Sequence, residues 1–422
     1  MSDLLSLASL AVIAMLAAYV VMLAVGWALN AVRAGRLFEA EKQLMTAKVD
    51  QLGDRIKSLE PGSGTMAWSG FRKFMLVGKV LEADDICSFY LAPHDGQALP
   101  PFLPGQYLTF QLNPPDSNRP VTRCYSLSDS PTHPDYYRVT IKRILERPGI
   151  EGSHDGLIST FFHHEVAPDD LLDVKAPSGH FHLDVDQQTP VVLTGGGIGL
   201  TPVLSMLNYI TASGSKRETW FFYGITHGGE HAMKAYLQSI AAEHENVRMH
   251  ICYSSPRDTD TKGTDYDHAE RVSVDLFKRL LPSNNYDFFT CGPAPMMDQI
   301  TNDLRDWGVP ASKIHYEAFG AATVKRVGKD VAPTVSGDPI QVEFARSGNT
   351  LVWDNSAVSL LDFAEASGIP MDSGCRAGSC GSCMTAVRSG NVDYLNEPGA
   401  AIEEGSCLTC ISVPKGNLVL DA

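Results

Sequence analysis

The run GCRAGSCGSC at residues 374–383 places three cysteines, Cys375, Cys380 and Cys383, at the spacing C-x4-C-x2-C, and Cys410 follows in a short hydrophobic stretch. This spacing is a ligand pattern for a 2Fe-2S cluster, whose two irons need converging thiolates. The glycines between the cysteines permit the tight turns that such a loop requires. The sequence therefore predicts an iron–sulfur domain. Because such a cluster carries one electron at a time, we expect the rest of the chain to convert a two-electron donor into single electrons.

A zinc site is the alternative interpretation of the same residues. Zinc sites usually use paired C-x2-C units, and Cys407 with Cys410 would supply a second pair beside Cys380 with Cys383. Zinc would leave Cys375 unexplained. The pattern therefore favours the cluster, with either Cys407 or Cys410 as its fourth ligand.

Length and composition bound the remaining possibilities. A chain of 422 residues suggests two to four domains. The cysteines outside the cluster motif are scattered, which indicates a reducing compartment rather than a secreted disulfide framework. The formal net charge is −15, and the sequence contains no basic patch that would indicate nucleic-acid binding. Residues 338–422 carry eleven acidic and four basic side chains, which fits either an acidic rim that steers a basic acceptor or an ordinary solvated surface.

An uncharged apolar segment runs from Leu4 to Ala31. As a helix it would be roughly 42 Å long, more than the roughly 30 Å hydrocarbon core of a bilayer, so we predict a transmembrane anchor over residues 1–32. A cleaved signal peptide is the alternative, but the leading MSD is not basic and the run is too long. Because Arg33 and Arg36 follow the segment, we expect a single-pass protein of the inner or plasma membrane with cytoplasmic catalytic domains.

Residues 33–69 are predicted to form a helical stalk or linker. A short heptad seam there would allow a homodimer through the stalk, but two heptads are few, and the sequence favours a solvated spacer helix. The seam consists of Met45, Val49, Leu52, Ile56 and Leu59. The run PGSG at residues 61–64 ends the helical pattern.

Residues 70–187 contain short β-like runs separated by proline and glycine turns, which predicts an antiparallel β-barrel. A flavin pyrophosphate needs fixed cations and backbone donors, and the flavin ring needs an aromatic wall and a nearby hydroxyl. Four motifs supply these groups in order: PGQY at 104–107, RCYSLS at 123–128, IKR at 141–143 and GLIS at 156–159. Their order, more than any one of them, predicts a flavin site.

Residues 188–322 have the pattern of an α/β domain. The strand run PVVLT at 190–194 leads into the glycine turn GGGIGLTP at 195–202 and then an apolar helix. A second turn, TCGPAPMM at 290–297, follows another strand and opens another helix. Such turns present backbone amides and a helix N-terminus to a pyrophosphate, which predicts a dinucleotide site.

In the order of these motifs, residues 70–322 resemble the ferredoxin–NADP reductase superfamily, and most closely the reductase module of flavohaemoglobins. Residues 338–422 resemble plant-type ferredoxins fused C-terminally, as in reductase components of multicomponent oxygenases. The implied architecture is an N-terminal transmembrane helix, an antiparallel β-barrel flavin domain, an α/β nicotinamide-binding domain, a linker over residues 323–337 and a β-grasp ferredoxin domain. An apolar segment replaces the globin domain of flavohaemoglobins, so haem-based nitric oxide dioxygenation is not expected.

The resemblance also implies residue roles, with FAD rather than FMN as the flavin. Ser126 would lie near flavin N5, Cys291 near the nicotinamide C4, and Glu317 beside the flavin; these are the expected catalytic residues. Because Leu408-Thr409-Cys410 resembles the Leu-Thr-Cys that closes plant-type ferredoxins, the expected cluster ligands are Cys375, Cys380, Cys383 and Cys410. The expected cofactor-binding residues are Arg123, Tyr125, Ser126, Lys142, Arg143, Gly156, Ser159, Gly196, Gly197, Thr201, Pro202, Gly292, Pro293 and Phe319.

The choice between NADH and NADPH depends on a cation for the 2′-phosphate. The loop after residues 220–224 has no Arg or Lys before Lys234 and carries Glu230, which would repel a phosphate. NADH is therefore expected, and NADPH is less favoured.

These expectations combine into a membrane-anchored reductase that passes electrons from NADH to FAD, to the 2Fe-2S cluster and on to an acceptor. The expected partner is a terminal oxygenase (a Rieske enzyme, a di-iron hydroxylase or a desaturase) or another redox metalloprotein. Two alternatives remain open: a respiratory NADH:quinone reductase subunit, and a membrane iron–sulfur redox sensor.

Overall fold

The computed structural model describes residues 68, 70–115, 117, 120–133, 135–146, 154–318, 339–354, 357–374, 376, 378, 381–395, 398 and 402–422. All of them belong to one compact unit, residues 61–422. The predicted transmembrane helix, the stalk apart from Trp68, the linker at 323–337, and Phe319, Cys375 and Cys380 lie outside the described residues. Within the described ranges, no helix has the length and apolar character needed to cross a membrane.

The first body is a six-stranded antiparallel barrel with one helix. Its elements are β1 (Arg72–Ala83), β2 (Ile86–Pro93), β3 (Tyr107–Leu112), β4 (Val121–Ser126), β5 (Tyr137–Lys142), α1 (Leu157–His164) and β6 (Leu171–Ser178). The strand order is β4-β3-β6-β1-β2-β5, and a bridge between Leu127 and Val139 joins the two ends of the sheet. Alternating apolar residues such as Phe74 and Leu76 fill the interior. Phe162 of α1 closes against them and contacts the Phe89 ring.

The second body is a five-stranded parallel sheet with helices between the strands. It contains β7 (Val191–Gly196), α2 (Leu200–Ala212), β8 (Thr219–Ile225), α3 (Lys234–Glu243), β9 (Val247–Tyr253), α4 (Val274–Leu280), β10 (Asp287–Gly292), α5 (Ala294–Asp306) and β11 (Ile314–Ala318). The strands are almost continuously apolar because both faces of the sheet are covered. The order β11-β10-β7-β8-β9 reverses direction between β7 and β10, and the crevice at the carboxyl ends of two such strands is where open α/β sheets bind ligands.

The third body contains β12 (Gln341–Phe344), β13 (Asn349–Val352), α6 (Leu360–Ala366), β14 (Met384–Ser389), β15 (Val392–Tyr394), β16 (Ser406–Leu408), β17 (Ser412–Pro414) and β18 (Leu418–Leu420). Its main sheet has the order β13-β12-β18-β14-β16, with β12 and β18 parallel. Ser359 caps α6 by accepting a hydrogen bond from the Asp362 amide at 3.2 Å. A mixed sheet of this order with one packed helix is the arrangement of a β-grasp domain.

Candidate functional site

The carboxyl edge of the parallel sheet brings three predicted site segments into one row. Cys291 on β10 pairs with Gly195 on β7 and with Glu317 on β11. Because parallel register partners project to the same side of a sheet, the Cys291 thiol and the Glu317 carboxyl are neighbours. The two glycine turns that the sequence indicated therefore lie side by side at the strand-order reversal.

The two turns touch through their backbones, which is why glycine is required there. A Cβ on Gly199 would lie 2.3 Å from the Cys291 carbonyl oxygen, and one on Gly196 would lie 2.4 Å from Met296 Sδ. A Cβ on Gly292 would lie 3.2 Å from the Gly196 Cα. The second turn passes through Pro293 directly into α5.

Gly197 is different, since it has a φ of +54° and open space around its Cβ position. The helix α2 begins just beyond it. The Thr201 hydroxyl donates to the Ile198 carbonyl at 3.1 Å, and Pro202 is buried in the first turn. An open, positive-φ turn at the start of α2 leaves backbone amides accessible to a dinucleotide phosphate.

Ser126 at the end of β4 and Glu317 form the flavin side of the site. Ser126 Oγ and Glu317 Oε2 are inaccessible to solvent, and neither makes a hydrogen bond of normal distance and angle among the described residues, although the two side chains are close enough to interact. Burial raises the pKa of Glu317 to about 8 and outweighs a hydrogen-bonding contribution from the Ser126 hydroxyl, which lowers it. Buried polar atoms are normally satisfied, so two neighbouring atoms that lack a hydrogen bond of normal geometry fit a site completed by the polar edge of a flavin.

The Tyr125 ring stands edge-on to two buried aromatic rings, those of Phe110 at 5.8 Å and Phe162 at 5.3 Å between centroids. These contacts fix its plane, and burial raises the pKa of the Tyr125 phenol. A rigid, half-buried aromatic at this strand end is suited to form a wall of a flavin site.

Arg123 lies two residues earlier on β4, near the cluster loop. Its Nη1 donates to the Thr122 carbonyl at 2.7 Å. Burial lowers the pKa of Arg123, and the nearby Arg376 guanidinium in the cluster loop lowers it further. Arg376 is held by Glu365 on α6. The same strand therefore carries the predicted flavin residues Arg123, Tyr125 and Ser126, and Arg123 is also within electrostatic range of the iron–sulfur body.

The predicted phosphate-binding cations already have carboxylate partners. Lys142 Nζ lies 2.8 Å from Glu230 Oε1, and Arg143 donates to Asp85 Oδ1 at 2.9 Å and 2.6 Å. A phosphate at Lys142 or Arg143 would therefore exchange with, or add to, a carboxylate. The Ser159 hydroxyl donates to the Gly156 carbonyl at 3.0 Å, which fixes the first turn of α1.

Glu230 lies just past the carboxyl end of β8. Burial works to raise its pKa, but hydrogen bonds from Lys142 and the Thr226 amide outweigh it and hold the pKa at about 2. Glu230 is therefore ionised at neutral pH. Sequence reasoning missed a cation here: Arg257 Nη2 lies 2.9 Å from His227 Nε2 in the same loop. Arg257 comes from the loop after β9, so no local motif marked it.

The iron–sulfur body brings two expected ligands together. The Cys383 and Cys410 sulfurs are 3.1 Å apart, and the Thr409 hydroxyl donates to the Cys383 carbonyl at 3.0 Å. Gly378 and Gly381 adopt positive φ, whereas Gly374 does not and Arg376, with a φ of 55°, does.

Cys407, the other residue considered as fourth ligand, lies on β16 opposite Thr385 and is fully buried. Burial raises the pKa of its thiol to about 12, and Cys383 is close enough for its thiol to contribute to the rise. A pair of converging sulfurs in a glycine-turned loop suits thiolate ligation of a metal cluster.

Three protein families match consecutive parts of the chain. Residues 73–183 match the oxidoreductase FAD-binding domain, residues 193–302 the oxidoreductase NAD-binding domain, and residues 342–415 the 2Fe-2S iron-sulfur cluster binding domain. The chain therefore contains oxidoreductase domains of the ferredoxin-reductase type, with FAD-binding, NAD-binding and 2Fe-2S cluster binding domains.

Among curated proteins, the chain is similar to flavohemoproteins. It is 40% identical over 255 residues to the protein of Bacillus thuringiensis subsp. konkukian (strain 97-27), which is 60% of this chain and 62% of that protein. It is 39% identical over 257 residues to the protein of Bordetella pertussis, with 61% and 62% covered. The chain thus spans about three fifths of the length of the curated relatives it matches.

Two solved structures are similar to different extents of the chain. The flavohem-like FAD/NAD binding domain of nitric oxide dioxygenase from Vibrio cholerae O1 biovar El Tor matches 60% of this chain and all of that one, with 29% identity and a TM-score of 0.52. Phthalate dioxygenase reductase matches 84% of this chain and 98% of that one, with 25% identity and a TM-score of 0.51. The second similarity extends over all three bodies.

Proposed function

We propose that this chain is an NADH-dependent reductase that passes electrons through FAD and a 2Fe-2S cluster to an oxygenase. The observation that carries the proposal is the placement of β4: Ser126 lies near Glu317 beside Cys291, while Arg123, three residues away, is within electrostatic range of Arg376 in the cluster loop. A single strand thus adjoins both the nicotinamide edge and the cluster. The likeness to phthalate dioxygenase reductase over most of both chains supports an oxygenase as the acceptor.

The described residues fit both groups. Ser126, Tyr125 and Glu317 would hold the flavin ring, and Cys383 with Cys410 would supply two of the cluster ligands. Bound FAD would take a hydride from NADH and release electrons singly to the cluster, which carries one at a time.

Burial of Cys291 and Glu317 keeps the hydride path free of negative charge. Burial, with a further contribution from Glu317, raises the pKa of Cys291 well above its ordinary value, and burial raises that of Glu317 to about 8. Both groups are therefore mainly neutral at neutral pH. A thiolate or carboxylate beside the ring would oppose the arrival of a hydride, because the field of a buried charge is poorly screened.

The preference for NADH rests on Glu230. Its carboxylate, ionised at neutral pH, stands at the end of β8, where an acidic residue commonly binds the adenosine ribose. Arg257, from the loop after β9, meets His227 beside Glu230, and these two groups are the ones that would favour NADPH. A comparison of Michaelis constants tests the preference, and a hundredfold lower constant for NADPH would refute it.

We also propose that the apolar segment at 4–31 anchors the chain in the inner or plasma membrane, with cytoplasmic domains. Its length and lack of charge support this. Anchoring would confine the donor to the plane of a membrane-bound oxygenase, and the heptad seam of the stalk would allow a homodimer. The net acidic surface of residues 338–422 would steer a basic acceptor.

The function is tested with the full chain, purified in detergent with its cofactors. Cytochrome c serves as a one-electron probe, and we expect NADH to drive its reduction. Cys410→Ser should abolish that reaction while NADH still reduces the flavin. Cytochrome c reduction that survives loss of the cluster would contradict the proposed path.

Isolation of the anchored chain from its native membrane tests the acceptor. An oxygenase metalloprotein should co-purify with it. NADH-driven quinone reduction in membranes that lack such a partner would instead favour a respiratory role, and a purified holoprotein that NADH does not reduce would favour a sensor.

A further inference from the structure

A buried polar cluster joins the flavin barrel to helix α2 of the nicotinamide domain. Ser128 and Asp129 follow β4, Arg138 lies on β5, and Ser205 and Asn208 lie on α2. None of these five residues is more than 8% exposed. Polar side chains are seldom buried to this degree unless they are fully hydrogen-bonded.

On the barrel side, Arg138 binds the chain just after β4. Its Nη2 donates to the Ser128 carbonyl at 2.6 Å, its Nε donates to Ser128 Oγ at 3.1 Å, and its Nη1 lies 3.2 Å from Asp129 Oδ2. The Tyr136 hydroxyl also donates to Asp129 Oδ2, at 3.2 Å. The barrel alone therefore fixes the position of the Asp129 carboxylate.

On the helix side, two α2 residues bind the same segment. The Ser205 hydroxyl donates to the Asp129 carbonyl at 2.7 Å, and the Asn208 amide donates to Asp129 Oδ1 at 3.1 Å and to the Ser128 carbonyl at 3.3 Å. The Tyr236 hydroxyl on α3 donates to Asn208 Oδ1 at 2.9 Å, which orients that amide. Sliding α2 along the barrel would break these bonds together.

The buried polar cluster is connected by short segments to both halves of the hydride site. Ser128 is two residues beyond Ser126, and Ser205 is one helical turn beyond Thr201. A buried ion pair adds little net stability compared with apolar packing, but it does restrict geometry. Hydride transfer is sensitive to displacements on the order of 1 Å.

We propose that the Asp129–Arg138–Asn208 cluster is a positioning device that fixes the nicotinamide turn against the flavin for hydride transfer. This inference rests on the proposed reductase function. None of the three residues contacts the reacting atoms; they act through Ser126 and through the start of α2.

Asn208→Ala in the cofactor-loaded full chain tests the device. We expect the rate of flavin reduction at saturating NADH to fall about tenfold. The long-wavelength charge-transfer absorbance of the stacked nicotinamide and flavin should weaken. The KM for NADH should change less than the rate. Ser205→Ala, which removes one hydroxyl and creates almost no cavity, should cause a smaller fall in the same direction.

Asn246→Ala is the matched control. The Asn246 amide donates to the Ser215 and Arg217 carbonyls, at 3.2 Å and 2.9 Å, within the nicotinamide domain. It should lower thermal stability comparably and leave the hydride step near wild type. Equal rate losses in Asn208→Ala and Asn246→Ala, or a wild-type rate and absorbance band in Asn208→Ala, would overturn the positioning role alone. An unmodified protein that NADH does not reduce would overturn the proposed function and this inference together.

Discussion

Cys291 and Glu317 are register partners on the adjacent parallel strands β10 and β11, and Glu317 raises the pKa of the thiol beyond the effect of burial. Cys291 has no exposed surface, and Glu317 Oε2 has neither solvent access nor a hydrogen bond of normal geometry among the described residues. The pair therefore places two titratable groups, a fully buried thiol and a carboxyl with one inaccessible oxygen, at the edge where the dinucleotide is expected. The predictions below follow from this pair and from its neighbours.

Glu317→Gln should change how stability depends on pH. The pKa of Glu317 is raised from 4.5 to about 8, so its stabilising contribution is fully present below pH 4.5 and is lost as the pH rises through 8. Relative to the variant, the wild type should lose up to about 1.4 kcal/mol per pH unit across that window. Thermal unfolding of the cofactor-loaded chain measures the difference.

The exposed Glu343→Gln on β12 serves as the control for the loss of one surface carboxylate. Parallel pH curves for the wild type and Glu317→Gln would show that Glu317 titrates normally.

Cys291→Ala should slow flavin reduction by NADH by roughly ten- to a hundredfold, or about 1.4–2.7 kcal/mol. The reason is loss of the side chain expected to contact the nicotinamide. Single-turnover kinetics measure this step. Cys252→Ala is the matched control, because Cys252 is equally buried on β9, two strands from β7 and three from β10. Similar rate losses in both variants would mean that Cys291 matters only for packing.

Gly199→Ala should separate the two glycine turns. Its Cβ would lie 2.3 Å from the Cys291 carbonyl oxygen, and relieving this clash would require the backbone of one turn to shift. We expect a loss of about 1–3 kcal/mol in stability and a raised KM for NADH. Gly214→Ala, at a φ of +68° with open space, carries only a conformational penalty and should leave KM unchanged. An unchanged KM in Gly199→Ala would contradict the contact between the turns.

Comparison of Cys410→Ser with Cys407→Ser should show which of the two cysteines is a cluster ligand. Cys410 Sγ lies 3.1 Å from Cys383 Sγ, whereas Cys407 is buried on β16. We expect Cys410→Ser to lose the visible absorbance and the reduced-state EPR signal of a 2Fe-2S cluster, and Cys407→Ser to keep both. The reverse outcome would make Cys407 the ligand, and bound zinc without iron in the wild type would favour the zinc interpretation.

Patterns that are local in sequence could be predicted well. The turns at 195–202 and 290–297 were recognisable because strand, glycine and helix signals follow one another, although their contact through Gly199 and Cys291 needs the strand order. Three bodies of β-barrel, α/β and iron–sulfur type were likewise expected from motif order and are confirmed. The predicted membrane helix lies outside the described residues and stays a prediction.

What could not be predicted comes from residues far apart in the chain. Asn208 bonds Asp129 across 79 positions, and Lys142 meets Glu230 across 88. The sequence shows the charge of Lys142 but not its Glu230 partner, and the role of Lys142 in holding the flavin stays a prediction. The contact between Arg257 and His227 also joins two different loops, so the sequence did not show it.

Anaerobic stopped-flow mixing of the cofactor-loaded full chain with NADH tests the central claim most directly. The flavin and cluster absorbances are followed separately after one addition of NADH. We predict rapid bleaching of the flavin followed by bleaching of the cluster within the same turnover. A flavin that NADH does not reduce, or a cluster that stays oxidised beside a reduced flavin, would contradict the account.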